Sequence, residues 1–332
     1  MTGRRILKAL CATATLALTA GSAAEAATTT PTVTQLLDAA NAEYIIGGVP
    51  AGMHAFKYLG VPVSYADPLD GVAASVWVTP QNQLVIAYQG TTGGENIILD
   101  PAGAAAQVIT DIGIFFADTS AGIRPAAYGD ALNFAKLVVG MAEMEGYSTA
   151  NIFVTGHSLG GIEAAYVAQQ TGLGGIGFEP TGLSTAAASG ATGTNFINIV
   201  TDGDPVANFC SDLTGEQPFA PPYVANGGRA PHYGWIVTIG NPADQASLSR
   251  AVAKYGDGNP VDDAEVLANL AGLLLEFHLP GVQAHDLGVT LSPSAAVVDG
   301  IGDLNGPVFT VANDTIPQLI QQASSAGKLV QP

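Results

Sequence analysis

The feature that most constrains the fold is a short apolar segment, residues 151–155, that runs directly into Gly156-His157-Ser158-Leu159-Gly160-Gly161. The segment has the composition of a buried strand, and apolar residues at helical spacing follow it over residues 159–170. A strand that turns so sharply into a helix forces the residue at the turn into a strained conformation, and side chains two positions before and after it would clash. Glycine occupies both of those positions. The pattern therefore predicts a nucleophile elbow with Ser158 at its crest.

Strands and helices alternate along most of the chain. Apolar, β-rich runs predict strands at residues 72–78, 83–88, 151–155, 175–178, 196–200 and 235–239. Helical spacing predicts helices at residues 34–44, 125–147, 159–170, 261–277 and 315–329. This order indicates an α/β fold with a mainly parallel central sheet and helices on both faces. Because no Pro/Ser-rich linker divides residues 27–332, we predict that they form a single domain.

The N-terminus has the pattern of a secretory signal peptide over residues 1–26. Arg4, Arg5 and Lys8 form a basic start, an apolar stretch follows over residues 9–20, and Ala24-Glu25-Ala26 offers a cleavage site. The apolar stretch is shorter than the ~20 residues that a membrane span requires. We therefore expect a secreted or periplasmic protein with no transmembrane segment in the mature chain.

The charge balance excludes several partners. The chain has 10 basic and 28 acidic side chains, a net charge of −18, and removing residues 1–26 makes the net charge −20. Such a surface cannot neutralise phosphates, so nucleic acid is excluded as a partner, and docking to anionic lipid is disfavoured. With 48% hydrophobic and only 11% charged residues, the chain can bury a large core, which excludes a disordered protein.

Neither a metal nor a cofactor is expected. Residues 257–263 resemble a calcium-binding loop. However, Val261 occupies the fifth position, which requires a ligand, and Asp262 occupies the sixth, which requires glycine. Residues 172–177 match the Gly-x-Gly-x-x-Gly pattern of dinucleotide-binding loops. That motif must follow a strand and open a helix, whereas these residues follow a predicted helix and enter a predicted strand. No cluster of Cys and His residues has zinc spacing.

Gly156-His157-Ser158-Leu159-Gly160-Gly161 matches the usual elbow of the class 3 (fungal-type) lipases, and the sequence resembles that family over roughly residues 72–235. Residues 84–92 are similar to the family's oxyanion strand and loop, although Gln89 stands where arginine is usual. Residues 198–206 are similar to the segment that carries the acid, with Asp204 at the Asp-Pro-Val position. The resemblance implies an α/β-hydrolase fold and an apolar, lipid-like ester as substrate.

The nucleophile needs a base and an acid, because a serine hydroxyl attacks only when an imidazole takes its proton and a carboxylate orients the imidazole. In this fold the acid and then the histidine follow the serine along the chain. Asp204 is the preferred acid, ahead of its neighbour Asp202 and of Asp212, because it follows a strand end and fits the family segment.

Three of the five histidines follow the nucleophile. His232 matches a structural histidine of the family. His285 is the preferred base because it lies in a predicted loop after the helix at residues 261–277, and catalytic side chains tend to lie on loops. His278, at the end of that helix, is the alternative.

An oxyanion hole needs two donors already in place. The backbone N–H of Leu159, the residue after the nucleophile, is one candidate, and the resemblance implies the backbone N–H of Thr91 as the other. Residues 101–124 are dense in apolar side chains and are interpreted as an ordinary buried element, with a lid over the site as the alternative.

These features predict an exported serine ester hydrolase of the lipase or esterase type, acting through an acyl-enzyme on Ser158. Two alternatives keep the same triad and change the acceptor or the substrate: an acyltransferase and a polyester depolymerase. A third is a non-catalytic surface binding module on the same fold, since fold does not imply function.

Overall fold

The structure is a computed structural model that describes residues 29–67, 69, 71–91, 125–184, 195–214, 229–254, 258–294 and 302–330. The expected signal peptide and the segment at residues 101–124 lie outside the described residues. Within the described residues the strands are β1 (His54–Ala55), β2 (Lys57–Tyr58), β3 (Val61–Pro62), β4 (Ser64–Ala66), β5 (Ala73–Val78), β6 (Leu84–Tyr88), β7 (Ile152–His157), β8 (Gly174–Phe178), β9 (Phe196–Thr201), β10 (Trp235–Ile239) and β11 (Leu329–Val330). The helices are α1 (Val33–Ala42), α2 (Ala126–Met144), α3 (Leu159–Thr171), α4 (Gln245–Val252), α5 (Pro260–Leu273), α6 (Pro280–Leu287) and α7 (Ile316–Ser325).

The strands form a mixed sheet with a parallel centre. Among the described residues the order is β1-β5-β6-β7-β8-β9-β10-β11, with β4 paired to β5, and β2 and β3 form a separate hairpin. Strands β6 to β10 are parallel to one another, whereas β5 and β11 are antiparallel to their neighbours. Because the central strands are parallel and in register, β6, β7, β8 and β9 all end at one edge of the sheet. Residues that directly follow these strands are therefore brought together there.

Helices cover both faces of the sheet, and the pleat of β6 shows how the sequence produces this. Leu84, Ile86 and Tyr88 belong to an apolar cluster that also contains the buried side chains of α2 and α3. Val85 and Ala87 point the other way, into a cluster with the buried side chains of α1, α6 and α7. A strand buried on both faces needs a continuous apolar run, and β6 has one. The arrangement confirms the predicted α/β-hydrolase architecture.

The chain between α5 and α6 differs from the sequence interpretation. The predicted helix at residues 261–277 is α5, which ends at Leu273 and continues as a π-helical turn, Leu274–His278. The expected loop around residue 285 is instead the helix α6, which begins at Pro280. Leu279 is extended, as a residue before proline prefers, and the proline itself is tolerated at the first helical position. Pro280 therefore separates two helices and does not introduce a loop.

None of the helices in the described residues is both long enough and apolar enough to cross a membrane.

Candidate active site

Ser158 lies at the turn between β7 and α3, as the motif predicts. Its backbone has φ 58° and ψ −126°, a region that residues other than glycine rarely occupy. A Cβ atom on Gly156 would collide with the carbonyl of Gly160, and one on Gly160 would collide with the carbonyl of Tyr88 in β6. The Ser158 N–H donates to the carbonyl of Phe178 in β8 at 2.8 Å, which holds the strained residue against the next strand. Local sequence and neighbouring strands thus produce the turn together.

His278 pairs with Asp204. Its Nδ1 lies 2.8 Å from Oδ2 of Asp204, and both side chains are buried. A ring nitrogen beside a carboxylate carries the proton, so Nδ1 donates and Nε2 becomes the basic position. Within the described residues, neither His278 Nε2 nor Ser158 Oγ has a hydrogen-bond partner, although both atoms are buried. They are two of several buried polar atoms without a partner in the described residues, and they are a serine hydroxyl and the basic nitrogen of an imidazole.

His278 packs onto the elbow through His157, the residue before the serine. The rings of His157 and His278 lie 4.8 Å apart, and His157 Nε2 lies 2.6 Å from the carbonyl oxygen of His278. A carbonyl only accepts, so His157 Nε2 carries a proton, and its Nδ1 accepts from the Tyr44 hydroxyl at 2.7 Å. Burial, together with the neighbouring His278, lowers the pKa of His157 to about 3, so His157 is neutral near pH 7. His157 therefore acts as a fixed support for His278.

Asp204 is placed by the loop that follows β9. Gly203 before it has φ 92°, and the Asp204 N–H donates to the carbonyl of Thr201 at 3.2 Å. Its carboxylate accepts from the backbone N–H groups of Val206 at 3.0 Å and Ala207 at 3.2 Å. Burial alone would raise the pKa of Asp204, but the charge and hydrogen bond of His278 and these further donors hold it below the ordinary value. Asp204 is thus an ionised carboxylate aimed at His278.

His285, the preferred base in the sequence analysis, does not meet Asp204. It lies in the last turn of α6, and its Nδ1 is 3.0 Å from Oδ1 of the adjacent Asp286. Its side chain is 27% exposed, whereas that of His278 is 7% exposed. The expectation failed because the chain around residue 285 is helical and turns the ring toward a local partner. The structure brings the alternative, His278, to Asp204.

His232 and Asp212 form a second buried pair. The ring places Nδ1 2.9 Å from Oδ1 of Asp212 and Nε2 3.1 Å from the carbonyl of Pro180. Both partners are acceptors, so both nitrogens carry protons and the ring is an imidazolium. Burial opposes this charge, but Asp212 raises the pKa of His232 well above its ordinary value. The pair ties the segment before β10 to the loops after β8 and β9, in line with the structural role predicted for His232.

Two groups of buried side chains in the described residues have metal-ligating atoms within 4.8 Å of one another. One is Cys210, Asp212 and His232, and the other is Glu179, Asp204 and His278. In the first group both ring nitrogens of His232 already donate, so no lone pair is left for a metal. The second group coincides with the pair described above, in which His278 Nδ1 is directed at Asp204. These contacts make both groups hydrogen-bonded clusters.

The predicted oxyanion loop lies against the elbow. Gly90 follows β6, and a Cβ atom there would collide with the Tyr44 hydroxyl and with the carbonyl of His157. Gln89, at the position where the family usually has arginine, donates from its side chain to the carbonyl of Glu43, beyond the end of α1. Thr91 follows Gly90 at the same edge of the sheet. The amide of Gln89 thus attaches this loop to the end of α1.

Leu159, the other predicted donor, is the first residue of α3. The first N–H groups of a helix have no acceptor within the helix, and the helix dipole makes this end attractive to negative charge. The N–H of Leu159 is therefore directed away from the helix at the point where Ser158 leaves β7.

Glu179 was not singled out in the sequence analysis. It follows β8 directly, is completely buried, and has φ 52°. Its carboxyl oxygens accept from the Thr201 N–H at 3.0 and 3.1 Å and from the Thr201 hydroxyl at 2.6 Å. The signal in the sequence is an acidic residue directly after an apolar strand next to the elbow strand, a position at the functional edge of a parallel sheet.

No family model and no curated protein matches the chain. Among solved structures it is similar to the extracellular lipase LipA of Serratia marcescens, with 23% identity and a TM-score of 0.33, over 48% of this chain and 29% of that one. It is also similar to a triacylglycerol lipase of Penicillium expansum, with 17% identity and a TM-score of 0.32, over 62% of this chain and 75% of that one. The chain thus spans less than a third of the Serratia lipase, and these low similarities assign no activity to it. Membership of the class 3 lipases stays a prediction from the motifs.

Proposed function

We propose that this protein is an exported serine ester hydrolase of the lipase or esterase type, with Ser158 as nucleophile, His278 as base and Asp204 as the acid that orients His278. The observation that carries the proposal is the pairing of His278 Nδ1 with Asp204, which leaves Nε2 without a partner on a ring that packs against His157, the residue before Ser158. No hydrogen bond joins Ser158 Oγ to Nε2 in the described structure, and such catalytic contacts often tighten only when substrate binds. His278 replaces His285 in this role.

The reaction proceeds through an acyl-enzyme. Ser158 Oγ attacks the ester carbonyl carbon while His278 Nε2 takes its proton, and Asp204 stabilises the resulting imidazolium. The N–H groups of Leu159 and Thr91 stabilise the negative charge on the carbonyl oxygen. His278 then protonates the leaving alcohol, and the ester bond breaks. Water activated by the same imidazole attacks the acyl group, releases the acid and restores Ser158.

The substrate class is proposed from the motifs and the charge. The class 3 resemblance favours an apolar, lipid-like ester, and a net charge of −18 disfavours anionic partners. Export is proposed from the basic start, the apolar stretch and the small-residue cleavage site within residues 1–26.

The decisive test is labelling with a fluorophosphonate combined with the Ser158→Ala variant. The wild-type protein is expected to carry one label on Ser158 and to hydrolyse p-nitrophenyl esters, and the variant should lose both the label and at least about a thousandfold in kcat/KM. Undiminished turnover by the variant contradicts the proposal. A competing alcohol in the assay distinguishes hydrolysis from acyl transfer, since a transferase forms mainly the new ester.

A further inference from the structure

Two carboxyl groups, and not one, converge on His278. Glu179 follows β8 and Asp204 follows β9, the neighbouring parallel strand, so both leave the sheet at the same edge. One carboxyl oxygen of each residue and a ring nitrogen of His278 lie within 4.8 Å of one another, and all three residues are buried. The strained φ of 52° and the hydrogen bond from the Glu179 N–H to the carbonyl of Ile199, at 2.9 Å, turn this residue toward β9. The placement is specific, because a buried acid is tolerated only where hydrogen bonds or a nearby charge compensate for its burial.

The two acids cannot both be ionised at this separation in a buried site. Asp204 faces the His278 ring and two backbone N–H groups, all of which favour its charged form. Glu179 faces the charge of Asp204, and its donors both come from Thr201. Burial and the neighbouring Asp204 accordingly raise the pKa of Glu179 well above its ordinary value, while the pKa of Asp204 is lowered. The proton shared by the two groups therefore resides on Glu179.

We propose that Glu179 is a positioning residue for the reaction of Ser158: its protonated carboxyl donates a hydrogen bond to Asp204 and so fixes both the orientation and the basicity of the Asp204–His278 pair. The inference rests on the proposed hydrolase function. Thr201 completes the arrangement, because its N–H and hydroxyl hold Glu179 and its carbonyl accepts from the Asp204 N–H. Among the residues that the structure describes, the charged and titratable groups around the ring of His278 are Asp204, Glu179 and, from the end of β7, the neutral His157.

The side chain of residue 179 should set the pH at which His278 titrates. Without this proton donor the negative charge of Asp204 is less stabilised by hydrogen bonding. Asp204 then favours a positive charge on the His278 ring more strongly. In Glu179→Leu we expect the midpoint of the His278 titration to rise by about one pH unit, the size of one hydrogen bond to a charged group. Glu179→Gln keeps a donor for Asp204 and an acceptor for Thr201, and its midpoint should stay within about 0.3 units of the wild type.

The experiment follows the ring directly and needs no substrate. Protein labelled with ¹³Cε1-histidine is titrated by NMR, and the signal of His278 is identified by its loss in His278→Gln. The pH profile of kcat/KM reports the titration of essential groups in the free enzyme. Its acidic limb should shift in the same direction and by the same amount as the NMR titration. A folded Glu179→Leu protein that titrates like the wild type overturns the proposal, and so does a Glu179→Gln protein that titrates like Glu179→Leu.

Infrared spectroscopy gives a second readout that does not depend on Glu179→Leu being folded. At pH 7 the spectrum of the wild type minus that of Glu179→Gln should contain the carbonyl band of one buried protonated carboxyl. The subtraction removes the bands of other buried acids such as Glu43, whose pKa burial raises to about 7. Absence of this band from the difference spectrum overturns the proposal. If the wild type hydrolyses no ester, the hydrolase function fails, whereas the titration and the infrared band still test the link between Glu179 and His278.

Discussion

Individual side chains at this site form one buried hydrogen-bonded chain. It runs from the Tyr44 hydroxyl to His157, from His157 to the backbone of His278, and from the His278 ring to Asp204. Ser158 Oγ and His278 Nε2, the two atoms that the proposed proton transfer joins, are both buried and have no hydrogen-bond partner within the described residues. The bonds of this chain hold the His278 ring in one orientation, and precise orientation supplies a large part of catalytic rate.

The first prediction at the residue scale separates the two candidate bases. His278→Gln should lose at least about a thousandfold in kcat/KM on p-nitrophenyl esters, because Ser158 would have no group to take its proton. His285→Gln is the matched control, since that ring contacts Asp286 and not Asp204, and it should keep activity within about threefold. Circular dichroism of both variants checks that they are folded. A severe loss in His285→Gln, with little loss in His278→Gln, would return the role of base to His285.

At the scale of elements, the site depends on loops that follow three parallel strands. His232, before β10, contacts both Asp212, in the loop after β9, and the carbonyl of Pro180, after β8. Pro180 directly follows Glu179, so this ion pair also holds the strand end from which Glu179 projects. Breaking a buried ion pair by neutralising one partner typically costs about 3–5 kcal/mol, because the other charge is left uncompensated.

The stability that this pair contributes should depend on pH in a defined window. The pKa of His232 is raised, so its contribution is complete below the unfolded pKa of about 6.5 and is lost as the pH rises through the higher folded value. The pKa of Asp212 is lowered, despite burial, chiefly by the charge of His232, so its contribution is complete above about pH 4 and is lost at more acidic pH. The contribution should therefore be greatest between about pH 4 and about pH 6.5.

Urea unfolding of Asp212→Asn at pH 5.5 and at alkaline pH tests this window. The variant should be about 3 kcal/mol or more less stable than the wild type at pH 5.5, and the difference should shrink as the pH rises. Glu265→Gln is the control, because Glu265 belongs to an exposed ion pair with Lys254 and should change stability by less than about 1 kcal/mol at either pH. A difference that is the same at both pH values would mean that Asp212 acts through packing alone.

The same elements show what could be predicted from the sequence. The elbow is local: a strand, two glycines and a helix determine the turn at Ser158, and the structure has that turn. The central strands and the helices on both faces of the sheet could also be predicted, because a continuous apolar run within one strand is enough to indicate burial on both faces. The proposed base is not determined locally, because Pro280 begins α6 where a loop was expected. Only the path of the chain shows that His278 reaches Asp204. Glu179 was missed because its role depends on the neighbouring strand and not on any motif around it.

For the whole molecule, the dominant property is its charge. A net charge of −18 over the full sequence creates a negative potential that extends beyond individual contacts. An ester hydrolase that acts on lipid aggregates must bring its site to their surface. A substrate surface that carries negative charge would repel this protein at long range. The repulsion is screened by salt, since the Debye length falls from about 30 Å at 0.01 M to about 3 Å at 1 M. Charge should therefore select among ester surfaces before any contact with Ser158 is made.

This argument predicts that the rate on emulsions depends on both surface charge and salt. On triglyceride droplets doped with phosphatidylglycerol, hydrolysis at about 0.01 M salt should be several-fold slower than on undoped droplets, and the difference should vanish near 1 M. A dissolved p-nitrophenyl ester is the control, because an uncharged monomer experiences no long-range repulsion and its turnover should vary little over the same salt range. Equal rates on the two kinds of droplet at low salt would show that the charge lies away from the face that approaches the substrate. In that case the acidic side chains act on solubility, and the selection among esters must come from contacts close to Ser158.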